Sequence, residues 1–186
     1  MKRVLSVGRA LLQFFPLTVF LRVAFLHGQP QSADWLQAFV WGGAAALLQF
    51  ALAVFFSRGQ PLNRLVLGVN CYLVAGAVAV VSNQDALLKW LHDLKESGLF
   101  LCLLGVGLWT TVASRSGFVG ATGAAAPREV RVYSMGLVVL AALAVAASFG
   151  FRGQILFSAA VPLIVLNVAT RVFKRRLQSG VLVQPE

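Results

Sequence analysis

The chain has 186 residues, of which 59% are hydrophobic and 12% charged, and its 16 Lys and Arg against 6 Asp and Glu give a net charge of +10. A soluble domain carries roughly 25% charged residues, so this chain holds about half the charge needed to coat a globule in water. That excludes a soluble globule and leaves the basic excess to be explained by where the charges fall, before any nucleic-acid partner is considered.

A bilayer core about 30 Å thick takes around 20 apolar helical residues to cross. Met1-Lys2-Arg3 followed by an apolar run imitates a secretory signal. No small-residue cleavage site follows, however, Arg22 interrupts the downstream half and more apolar runs come later, so the run reads as a retained first span over 5–26. Further spans are expected over 35–56, 65–81, 97–112, 132–151 and 155–172, with turn-forming breaks at 27–30, 57–61, 82–85, 117–127 and 152–154. Long apolar runs without two-residue alternation favour helices over a barrel. The expected fold is therefore all-α, a single transmembrane domain of about six helices. Residues 85–96 form an amphipathic segment with Asp85 as its N-cap: Leu87, Leu88, Trp90, Leu91 and Leu94 make an apolar stripe opposite Lys89, Asp93 and Glu96. It either lies flat in the interface or extends the fourth span outward.

Loop charges test this parse independently, because cytoplasmic loops collect Lys and Arg. Twelve of the 16 basic residues fall on one side: Lys2, Arg3 and Arg9, then Arg58 and Arg64, then Arg115, Arg128 and Arg131, then Arg171, Lys174, Arg175 and Arg176. Only Glu129 and Glu186 are acidic there. The other side holds Lys89, Lys95 and Arg152 against Asp34, Asp85, Asp93 and Glu96. Both termini are therefore expected in the cytoplasm. The basic excess becomes a signature of orientation, with no nucleic acid required, and the tail 173–186 is expected to meet anionic lipid headgroups.

Polar groups within apolar spans are costly, and each has a functional and a structural reading. Arg22, near the outer end of the first span, snorkels to the interface, pairs with Asp34 or Asp85, or binds an anionic group. Gln13, Gln49, Asn70 and Asn167 read as hydrogen-bonding glue between helices or as the lining of a polar pocket. Pro16 and Pro162 fall inside the first and sixth spans and are expected to kink them. They do not occupy corresponding positions in a three-plus-three arrangement, unlike the paired breaks of inverted-repeat transporters. Small-residue pairs four apart, Gly42 and Ala46, Ala75 and Ala79, Ala142 and Ala146, are candidates for close helix contacts. Trp35, Trp41, Trp90, Trp109 and Tyr133 fall at or near span ends, as interfacial anchors do.

Catalytic chemistry has no visible carrier. No Asp or Glu lies inside an expected span, Cys71 and Cys102 sit in apolar runs, and His27 and His92 have no ligand-spaced partner. There is no phosphate-binding G-x-x-x-x-G-K-[ST] loop and no G-x-S-x-G elbow. No catalytic, cofactor-binding or metal-ligating residue is assigned.

Phe15-Pro16-Leu17 in the first span, Asn83-x-Asp85 followed by Lys89-Trp90, and Leu99-Phe100 opening the next span together resemble the bacterial intracellular septation protein A family of small polytopic inner-membrane proteins. The motifs cover about a third of the chain. The family's Trp/Asn/Phe-Lys cluster before the last span is replaced here by Phe151-Arg152-Gly153-Gln154, and the Gly/Ala-rich loop after Arg115 is atypical of it. The resemblance implies a multi-pass protein of the bacterial inner membrane with a non-catalytic role in envelope maintenance or division, acting through membrane-protein contacts, with no catalytic residue to carry over; Lys89 and Trp90 are the candidate interaction residues. The alternative is a small transporter or substrate-binding component of a transport system, with Arg22, Gln13 and Asn70 lining its site.

Overall fold

Apolar runs become helices, and the residues that break them decide where those helices stop. The computed structural model describes residues 14–28, 31–56, 63–94, 96–121 and 126–180. Among them the helices are α1 (Phe15–Ala24), α2 (Ser32–Phe56), α3 (Arg64–Val81), α4 (Asp85–Leu94), α5 (Ser97–Ala113), α6 (Pro127–Gly150) and α7 (Val161–Gly180), with a π-helical turn (Leu156–Ala160) leading into α7. No strand occurs among the described residues. Four helices are long and apolar enough to cross a membrane: α2, α3, α6 and α7 with its π turn. The 10-residue α1 rises about 15 Å and the 17-residue α5 about 25 Å, both less than a bilayer core. Residues 5–13 of the expected first span lie outside the described residues.

Several helix ends have identifiable caps. Asn63 accepts the Leu65 N–H at 3.1 Å and starts α3. At the other end of α3, the Asn83 N–H bonds the Val80 carbonyl at 3.3 Å and the Gln84 N–H bonds the Ala79 carbonyl at 3.2 Å, with Asn83 left-handed at φ +49°. These two hydrogen bonds form a Schellman cap. The next helix begins at Asp85 itself, so Gln84, whose carbonyl accepts from the Leu88 N–H at 2.9 Å, takes the cap position expected of Asp85.

Both prolines act differently from the expected kinks. Phe14 is the residue before α1, which puts Pro16 in the first turn, where its missing N–H has no intrahelical acceptor to lose. Pro162 cannot donate to the Ser158 carbonyl four residues earlier, and just before it the Val161 N–H reaches back five residues to the Leu156 carbonyl. The chain takes up the proline by widening one turn to π geometry. Beyond it, α7 continues through Arg171, Lys174, Arg175 and Arg176 to Gly180, so the first part of the expected basic tail is helix. Likewise α6 starts at Pro127, ahead of the expected 132, and Arg128 and Arg131 are helical residues.

The chain divides into two compact units, Met1–Asp93 and Leu94–Glu186. In the first, α2 packs on both α1 and α3. The crossing of α2 and α3 is close because glycine backbones face it. A Cβ on Gly76 would enter the ring of Phe39, and one on Gly43 would collide with Ala77 Cβ and lie 3.0 Å from the Leu73 carbonyl oxygen. Gly42 and Ala46 are buried in the same packing, whereas Ala142 and Ala146 are exposed. Above the glycines an aromatic group joins the three helices. Phe20 lies 5.5 Å from Trp35 and 5.0 Å from Phe39, and Phe39 lies 5.4 Å from Tyr72, all between ring centroids. Trp35 therefore packs against neighbouring rings, while Trp41 and Trp109 of the same expected anchor set face outward.

In the second unit α6 is central, contacting α5, the π turn and α7. The 114–121 segment, which includes the start of the expected break at 117–127, folds back into this unit. Phe118 and Val119 are buried, the Phe118 ring covers Gly107, and the Val119 N–H donates to Ser134 Oγ at 3.3 Å. Gly117, at φ +59°, allows the reversal, and a side chain there would collide with the Ser134 hydroxyl.

Large apolar side chains face outward in both units: Phe55 is 80% exposed and Val112 84%. Small and polar groups such as Ala46, Asn70, Ser97 and Ser134 are buried. Water would penalise that distribution, while lipid tails favour it, because in lipid the large apolar residues need not be hidden and small ones let helices approach.

Candidate functional site

The first polar site lies between α2 and α3, where Asn70 Nδ2 donates to Gln49 Oε1 at 2.7 Å. Gln49 is seven residues from the end of α2 and Asn70 is the seventh residue of α3, so the pair lies about 10 Å in from that end of the hairpin. Asn70 is only 1% exposed, and its Oδ1 is buried without a hydrogen-bond partner among the described residues. An unmet buried acceptor costs about 1–3 kcal/mol. Two of the expected glue residues are thus brought together, with one acceptor left over.

The second site is a cavity of about 350 Å³ lined by Arg128, Glu129, Val132, Tyr133 and Arg176. It joins the first two turns of α6 to the charged end of α7, which shows that these two helix ends lie side by side. The Tyr133 ring is held against Phe173 at a centroid distance of 5.2 Å. Among the described residues no carboxylate lies within ion-pair distance of Arg128 or Arg176. The expected span start at 132 left Arg128 in a loop, which hid its pairing with Arg176 across the hairpin. Only a helix beginning at Pro127 could have pointed to it.

At the opposite end of α6, Ser148 Oγ lies 2.9 Å from Ser97 Oγ and 2.8 Å from the Val145 carbonyl oxygen, so the hydroxyls satisfy one another. Ser158, in the π turn, is fully buried and its hydroxyl has no partner among the described residues.

The other sequence candidates stay apart from these places. Arg22 is exposed in the last turn of α1, where the helix carbonyls favour a cation. Its expected pairing with Asp34 is not formed. Asp34 instead accepts from the Gln31 N–H at 2.9 Å and contacts His27 Nδ1 at 3.1 Å, which closes the start of α2 in the manner of half a capping box. Asn167 is half-buried on α7 without a hydrogen bond to any described residue. Lys89 is exposed and Trp90 is 49% exposed on α4, while Leu91 beside them is buried. Gln13 lies outside the described residues. Among the described residues no cluster of three His, Cys, Asp or Glu forms a metal-holding group.

No protein-family model matches the chain, and neither a curated protein nor a solved structure does.

Proposed function

We propose that the chain is a multi-pass protein of the bacterial inner membrane that works through contacts, without catalysis, in envelope maintenance or division. In this reading the expected first span over 5–26 and α5 complete six spans. Both termini are cytoplasmic, following the basic loops. The carrying observation is α4: it is a helix of its own, ending at Leu94 before α5 begins at Ser97, with Leu91 buried and the Lys89-Trp90 edge turned outward. Tryptophan is enriched at protein interfaces and among the residues that carry their binding energy. The envelope or division role rests on the motif resemblance, and within that motif Asn83 already has a backbone task at the α3 cap. The test is a photo-crosslinking amino acid placed at Trp90 in cells. Capture of a membrane protein acting in envelope synthesis or division is the expected result. No adduct, combined with solute movement by the reconstituted protein alone, overturns the proposal.

A second reading, a small transport component, is favoured by the unmet Asn70 Oδ1. Its discriminating variant is Asn70→Leu. A glue role predicts a stability change under about 1 kcal/mol, because interhelical bonds of this kind average near 0.6 kcal/mol, and no change in solute binding. A transport role predicts lost binding at unchanged stability.

A further inference from the structure

We infer that the cleft between the start of α6 and the end of α7 seats the phosphate of an anionic glycerophospholipid, with an acyl chain lying along the outer face of α6. The inference rests on the membrane reading above and adds a specific ligand to it.

Charge and shape carry the first half. Arg128 and Arg176 approach the same cavity from two different helices, and neither has a described hydrogen-bonding or ionic partner. Guanidinium forks match phosphate oxygens in two-pronged contacts, and two of them from separate helices can hold one phosphate from both sides. Tyr133 adds a phenolic hydroxyl on a ring already fixed by Phe173. Glu129 is the single acid in the lining and leaves it net positive. The cavity, about 350 Å³, falls within the range of small-molecule sites, roughly 300–1,000 Å³.

The outer face of α6 identifies the source of the phosphate. Val132 is both a wall of the cavity and the first of a row of outward apolar residues, followed by Met135, Val139 and Leu143, each more than half exposed. Steps of three, four and four keep that row on one helix face. An apolar track that begins inside a basic cavity suits a molecule with an anionic head and a hydrocarbon tail. A soluble phosphate compound would have no use for the track. The cavity also lies where two apolar helices of membrane-crossing length end, which is headgroup level for any such hairpin.

The test uses the full-length protein in mild detergent, titrated with phosphatidylglycerol or phosphatidylcholine and read by native mass spectrometry. Phosphatidylglycerol is expected to bind at least about tenfold more tightly, and Arg128→Gln with Arg176→Gln to remove most of that preference. Val139→Asp is expected to weaken long-chain phosphatidylglycerol severalfold. Arg175→Gln, as exposed as Arg128 and Arg176 but outside the cavity lining, is the control and is expected to leave binding within about twofold. Equal losses from Arg175→Gln and from the double variant would mean diffuse surface attraction and overturn the site. Binding of glycerol 1-phosphate as tight as that of phosphatidylglycerol, with Val139→Asp without effect, would assign the cavity to a soluble phosphate and overturn the lipid. If the double variant loses its helical circular dichroism, Arg176→Lys replaces it. It keeps the charge but loses the fork, so a severalfold loss supports the site and unchanged binding overturns it. Failure of the underlying membrane reading has a different signature: release of the chain from membranes by alkaline carbonate.

Discussion

Asn83 sits at φ +49°, a conformation that costs most L residues about 1–2 kcal/mol and that asparagine and glycine enter most readily. Its side chain is exposed, while its backbone N–H closes the end of α3. Asn83→Ala should therefore destabilise the protein by about 1 kcal/mol, and Asn83→Gly should leave stability nearly unchanged, as measured by thermal unfolding in detergent. The glycine variant also separates two explanations of the Asn83-x-Asp85 motif. If the motif serves the cap alone, Asn83→Gly keeps any partner captured at Trp90. If a partner reads the amide, capture is lost while stability is kept. Arg22 shows how far such reasoning reaches from sequence: its cost inside an apolar run is plain, but its environment depended on where α1 ends. With Ala24 the last helical residue, Arg22 stands at the carbonyl end of a helix.

Glycines within helices divide by what faces them. Gly43 in α2 has no room for a methyl group against Ala77 and the Leu73 carbonyl. Gly43→Ala should therefore destabilise by about 1–3 kcal/mol through overpacking, outweighing the roughly 1 kcal/mol gained in helix propensity. Gly105 in α5 has open space, so Gly105→Ala should be neutral or stabilise by up to about 1 kcal/mol; denaturation of both variants in the same detergent checks the opposite signs. The positions of α2, α3 and α6 were legible because apolar runs bounded by Gly, Pro and Asn admit few other structures in a membrane. What was hidden depended on partners distant in sequence. Hydropathy places Arg128 and Arg131 outside a span, yet a helix can begin at Pro127 before it becomes apolar. The inward fold of Phe118 needs Gly107 opposite it and Ser134 beneath it, neither of which is a local signal. The Gln49–Asn70 bond needed the α2–α3 register, which the glycines set.

The division into Met1–Asp93 and Leu94–Glu186 gives the six-span reading a sharp consequence. Three spans in each unit place the junction and the C-terminus on opposite sides of the membrane. A reporter fused after Asp93 should be active outside the cytoplasm and one fused after Glu186 inside it. Activity on the same side would mean an even number of spans in the second unit and would remove six as the count. The same junction marks where the chain should tolerate interruption. Each unit holds its own helix contacts, so each half expressed alone is expected to insert and keep its helical circular dichroism.

The π turn at Leu156–Ala160 makes α7 behave like a shaft with a set phase. Its ladder reaches five residues back instead of four, so it takes up one residue more than an α-helix would, and one residue is about 100° of rotation. Pro162→Ala restores the missing donor and permits that turn to tighten. The rotation would be delivered about 20 Å away, at the level of Arg176. A substitution at one end of the helix would then turn a guanidinium out of the cleft at the other, and phosphatidylglycerol binding would register the twist.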